Sequence, residues 1–85
     1  MHIIQAVKAQ DDVRVKLTFE SGEIAVLDFS DTIQQGGVFR PLGDAAFFRQ
    51  VVVGDRGRSI EWPGGIDFCA DALWQEAFEQ GVLKS

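Results

Sequence analysis

The segment VRVKLTFE, Val13 to Glu20, alternates without a fault: Val13, Val15, Leu17 and Phe19 fall on one side, Arg14, Lys16, Thr18 and Glu20 on the other. That is the period of a strand with one face in a core. Such a strand needs neighbours, and the flanking sequence supplies them. EIAVLDF, Glu23 to Phe29, is rich in β-formers and apolar on both sides, as suits a more central strand. Upstream, HIIQAVKA reads as a third strand, turned into the second by Asp11 and Asp12. Residues 2 to 30 are therefore expected to form a three-stranded antiparallel meander.

The register of the second hairpin follows from which side chains must meet. A two-residue loop at Ser21-Gly22 sets Glu20 against Glu23 and Val15 against Asp28, which places like charges opposite each other and an acid in the apolar row. A three-residue loop, Glu20-Ser21-Gly22, sets Leu17 against Ala25, Val15 against Leu27, Val13 against Phe29 and Arg14 against Asp28. The second pairing is favoured, with Gly22 at positive φ because it lacks a Cβ.

Beyond the meander the periodicity changes. Ser30 is placed to cap a short helical turn over DTIQQ, ended by Gly36 and Gly37, and Asp44 to cap AAFFRQV. VVV and RSIEW, flanking the loop GDRG, read as another hairpin. After the Pro63-Gly64-Gly65 turn the chain is expected to enter a helix. There Ala70, Leu73, Trp74, Ala77, Phe78 and Val82 follow one helical face, opposite Gln75, Glu76, Glu79 and Gln80. Segregated helices and hairpins imply an α+β fold: a single domain over residues 1–85, with an antiparallel sheet of about five strands and the C-terminal helix packed on it.

Composition limits the function classes. Eighty-five residues suffice for one core but not two. With 46% hydrophobic residues, seven Phe and two Trp, the chain has the apolar material to order itself. Thirteen acids against eight bases give a net charge of −5, with the bases scattered, so direct nucleic-acid binding is not expected. The lone Cys69 cannot form an internal disulfide, which suits a reducing cytoplasm. The N-terminal MHIIQAVKAQDD does not read as a secretory signal, and no apolar run is long enough for a membrane span.

At FESGEIAVLDFSDTIQQGGVFRPLGDAAFFRQVVV followed by IEWPGGIDFCADALW, the chain resembles the family known as domain of unknown function 2442. The shared features are a hairpin of F-E-D/S-G-E type, a G-x-F-x-P-L-x-D segment, a V-W-P-N-G-A-D corner and a closing D-x-L-Y/W, over roughly Ile3 to Ala77. The resemblance implies a small bacterial α+β domain without an assigned activity. Some relatives look like the N-terminal part of a helix-turn-helix protein, and others are encoded beside another small protein, implying a regulatory or paired role. Here the chain ends at Ser85, so no helix-turn-helix is expected to follow. It departs from the family pattern at Cys69-Ala70-Asp71, where D-P-D is common, and at Gly64-Gly65, where Asn-Gly is.

No complete catalytic or metal-binding constellation is legible, so neither catalysis nor a cofactor or metal is expected. Asp67 and Asp71, four apart, read as acids favoured at a helix start. Cys69 lacks a plausible base and reads as a small, partly buried residue. His2, the only histidine, needs no role. Gly54 to Arg58, GDRGR, lacks the Gly-Lys-Ser/Thr ending of a phosphate loop.

The expected function is a non-catalytic protein-interaction or regulatory module, self-associating as a homodimer or joined to a small protein partner. Its candidate surface comprises Arg40, Pro41, Trp62, Gly64, Gly65, Asp67, Asp71 and Trp74, because aromatics and Arg carry much of the energy where a surface binds. Two alternatives are a small-molecule or enzymatic site at the Trp62–Trp74 corner, and an accessory subunit of a DNA-binding or paired toxin-antitoxin-like system. The latter would need a basic face drawn from Arg14, Lys16, Arg40 and Arg49.

Overall fold

In the computed structural model, which describes residues 1–84, the meander forms in the register its side chains favour. Strand β1 is Ile4–Gln10, β2 is Arg14–Phe19 and β3 is Ile24–Asp28. Arg14 faces Asp28, Val15 faces Leu27 and Leu17 faces Ala25. The Phe19 amide donates to the Glu23 carbonyl at 2.8 Å and the Gly22 amide to the Phe19 carbonyl at 2.9 Å, closing the loop Glu20-Ser21-Gly22 with Gly22 at φ 101°. Val13, expected to begin β2, lies instead in the β1–β2 turn at φ 52°, after Asp12 at φ 63°. Two successive left-handed residues close that turn, and Val13 still packs against the core.

The expectation of one sheet of about five strands is corrected: the described residues form two sheets. The meander is extended by β7, Leu83–Lys84, in the order β1-β2-β3-β7, while β4 (Val52–Val53), β5 (Ser59–Trp62) and β6 (Ile66–Cys69) form the second. The β4–β5 hairpin was legible. β6 was not, although Ile66 and Phe68 turn inward while Asp67 and Cys69 are exposed. Four alternating residues next to a helix are too few to separate from its lead-in. The class is α+β.

Among the described residues, three α-helices join the sheets: α1 (Ser30–Gln34), α2 (Ala45–Phe48) and α3 (Ala70–Gln80). Asp44 caps α2 as expected, accepting the Ala46 amide at 2.9 Å and the Phe47 amide at 3.2 Å. Ser30 is not the cap of α1. It lies inside the helix, and Asp28 accepts its amide at 2.8 Å and its hydroxyl at 2.6 Å. The last helix ends in a Schellman turn, with Gly81 at φ 71° and the Val82 amide donating to the Ala77 carbonyl at 3.0 Å. That reversal returns the chain to pair Leu83 with Ala25 at the edge of the first sheet.

One core joins these parts. Val15, Leu17, Phe19 and Leu27 from the first sheet share one buried cluster with Ile60 and Trp62 from the second and with Leu73 and Ala77 of α3. Phe78, expected on the buried helical face, is 69% exposed. The face of α3 that packs is therefore narrower than the apolar pattern suggests. Among the described residues, no helix is long and apolar enough to cross a membrane.

The Asp28 carboxylate gives this corner a pH dependence. Hydrogen bonds from the Ser30 hydroxyl and amide, aided by Arg14, hold its pKa below the usual carboxylate value. A lowered folded-state pKa contributes stability above the unfolded value of about 3.9, and the contribution disappears as the pH falls through the lowered one. Asp28→Asn is therefore expected to lower stability at neutral pH and to flatten its fall below about pH 4, as read from denaturant midpoints across pH.

Candidate functional site

A groove opens where three local structures meet. A 3₁₀ segment, Gly37–Gly43, supplies Val38, Phe39 and Pro41, and α2 supplies Phe47. The β5–β6 turn closes the opposite side with Pro63, Gly64 and Gly65, followed by Ile66 and Asp67. Each wall has a sequence cause. Pro41 sits inside the 3₁₀ segment, whose entry needs Gly36 at φ 72°. Gly64 and Gly65 stand at φ 86° and 88°, a conformation that side chains disfavour, and so leave bare backbone on their wall.

The groove holds about 480 Å³ and its lining is largely apolar. Val38 is 71% exposed at its rim. Phe39 stacks on Phe68 at 5.7 Å, and Phe68 meets Phe29 and Trp62 edge-on at 5.2 and 5.8 Å. The floor is thus held by the aromatic core. Asp67 is the one ionisable side chain lining it, directly opposite Glu61 in the β5–β6 ladder. The site offers apolar contact and a negative rim.

The structure gathers part of the nominated surface and disperses the rest. Pro41, Gly64, Gly65 and Asp67 all line the groove, whereas Arg40, exposed and adjacent to Pro41, does not. The two tryptophans do not form a corner. Trp62 is 3% exposed, donates Nε1–H to the Phe48 carbonyl at 2.9 Å, and packs with Phe29, Phe48 and Phe68. Half-buried Trp74 belongs to another cluster, stacked on the His2 ring at 3.9 Å and edge-on to Phe19 at 5.0 Å. Strand β6 between them explains the separation, since it carries the chain away from Trp62 before α3 begins.

The acids are also reassigned. Asp67 is not at a helix start but exposed on β6. Asp71 is in the first turn of α3, where it accepts the His2 backbone amide at 2.7 Å. His2, expected to need no role, thus straps the N-terminus to α3 through this bond and its stack on Trp74. No local pattern could reveal a contact spanning 69 positions. Val38, Phe39, Phe47 and Pro63 were missed as lining residues. Phe47 was read only as part of the AAFFRQV helix, and the only signal of the others was apolar character in Gly- and Pro-bounded segments without a strand or helix period.

Cys69 occupies the N-cap position of α3 at φ −69° and ψ 140°, but its side chain makes no capping bond. It is exposed, not partly buried. Cys69→Ser is expected to stabilise the fold by about 0.5–1 kcal/mol, because a hydroxyl there can accept a first-turn amide. A chemical-denaturation midpoint that stays still or falls would contradict this. Among the described residues, no group of three or more His, Cys, Asp or Glu side chains could hold a metal ion.

Comparison with known proteins places this geometry. A crystallised protein from Nitrosomonas europaea ATCC 19718, named "Putative DNA Binding Protein NE0471", is similar at 26% identity and a TM-score of 0.84. The likeness covers 95% of this chain but 52% of that one, so the chain spans about half of that relative's length. No curated protein matches. The family model described as "Protein of unknown function (DUF2442)" matches residues 4–79, from β1 through β6 and most of α3. The chain belongs to that family.

Proposed function

We propose that the chain is a non-catalytic interaction module of the cytoplasm that receives an apolar segment of a protein partner in the groove between Val38, Phe47 and Pro63. The supporting observation is an open apolar groove of about 480 Å³ with a carboxylate, Asp67, as its only ionisable lining group. Proton transfer or nucleophilic attack needs a positioned partner group. Apolar burial does not. A few aliphatic or aromatic side chains fill such a volume, and a Lys or Arg beside them would meet Asp67 and Glu61. The partner segment is therefore apolar with a flanking cation.

Tagged wild-type chain and a Val38→Glu variant, used to capture partners from the native host, test this. Val38 is 71% exposed, so the substitution leaves the core intact while charging the groove. A partner retained by wild type and lost with Val38→Glu supports the reading. Equal retention contradicts it.

Self-association is the second element of the proposal. β1 is an edge strand of the first sheet, and a small domain gains from covering such an edge. Light scattering is expected to give twice the 9.4 kDa chain mass at high concentration. A monomer mass there would remove the homodimer. The name of the Nitrosomonas relative raises DNA as another partner class, and the surface that could meet it is the outer face of the first sheet.

A further inference from the structure

We infer that the outer face of the β1-β2-β3-β7 sheet docks an acidic amphipathic helix of a protein partner, separately from the groove. The register places Lys8 directly opposite Lys16, and Lys16 opposite Val26, in one row across the sheet. Arg14, two residues along β2 on the same face, lies between Gln10 and Asp28. Like charges directly opposite in a ladder are destabilising. Neither lysine has an ion-pair partner here: among the described residues the one ion pair joins Arg49 to Asp11 at 3.9 Å.

Charge and apolar area together select the occupant. Among the described side chains, Lys8, Lys16 and Arg14 share this face of a chain whose net charge is −5. Beside them lie Ala6, exposed, Val26, half-buried, and Ile24, 38% exposed. Neighbouring strands are about 4.8 Å apart, so the row from Lys8 to Val26 spans about 10 Å, the width of a helix. Acids one turn apart on a helix are separated by about 5–6 Å, matching cations set about 5–7 Å apart across and along strands. Apolar residues of the same helix would cover Val26 and Ile24. A phosphate backbone gains nothing from those side chains. It would find three cations, one of them facing Asp28, on an otherwise acidic protein.

The test is an NMR titration of the isotopically labelled chain with three probes at low salt. They are a helix-forming peptide with a Leu stripe flanked by Glu, the same peptide with Gln for every Glu, and a short mixed-sequence DNA duplex. The inference expects the Glu peptide to shift Ala6, Lys8, Lys16, Thr18 and Val26, and the Gln peptide to bind about tenfold more weakly. It also expects the shifts to vanish in Lys8→Glu/Lys16→Glu and to weaken in the milder Lys8→Gln/Lys16→Gln, whose spectrum verifies the fold. Equal binding of both peptides, shifts elsewhere, or no shift with the Glu peptide would overturn it. Shifts of these residues by the duplex but not by the Glu peptide would overturn it in favour of nucleic acid.

Discussion

Replacing Gly57 with alanine is expected to destabilise the protein by about 2–4 kcal/mol, combining left-handed strain with overpacking. Gly57 is buried at φ 77°, and a Cβ there would lie 2.5 Å from the Ile4 carbonyl oxygen and 2.7 Å from Ile3 Cγ2. The first of these atoms is backbone in β1, which is held in its ladder with β2 and cannot swing aside. Gly22 provides the control. It has φ 101° with nothing within 4 Å of an added Cβ, so Gly22→Ala should cost only about 1 kcal/mol, from strain alone. Denaturant unfolding of the two variants separates the terms. Similar losses would show that β1 does not press on the Asp55–Gly57 turn.

Trp62→Ala is expected to cost about 3–5 kcal/mol, the range for emptying a large aromatic site in a packed core. Trp62→Phe should cost less, about 1–3 kcal/mol, since it keeps most of the ring volume but leaves the Phe48 carbonyl without its 2.9 Å donor. Because Trp62 is 3% exposed, these losses belong to folding and not to a binding surface. Trp74→Ala should cost less than Trp62→Ala, as it removes a half-buried ring from the His2 and Phe19 cluster. Thermal and denaturant unfolding check the order. A Trp62→Phe protein of unchanged stability would contradict the contribution of the bond to the Phe48 carbonyl.

What could be read from the sequence depended on how local the determining interaction was. The β2–β3 register was legible because it set Arg14 against Asp28 and apolar Val15 and Leu17 against Leu27 and Ala25, where the alternative put an acid in the apolar row. Asp44 was legible because a cap acts within three residues. Ser30 misled because its own amide and hydroxyl donate to Asp28, two residues earlier, which engages the hydroxyl that would have capped the helix. The groove was only half legible. Its glycines and Pro41 stood out as turn chemistry, but Phe39, Phe47 and Pro63 meet only after the core forms, and no period marks them. The tryptophans misled because proximity in sequence was taken as proximity in space, while four residues of strand lay between the Gly65 turn and α3. The cationic row required knowing that β1 and β2 pair Lys8 with Lys16.

Amide hydrogen exchange of the chain with and without its captured partner tests the groove most directly. Slowed exchange is predicted in the 3₁₀ segment around Val38 and Phe39, at the start of α2, and from Gly64 to Asp67. Val38→Glu should abolish this protection without altering exchange of β2 or β3, which report the intact fold. Protection confined to the exposed face of α3, or persisting in Val38→Glu, would contradict the groove as the binding site.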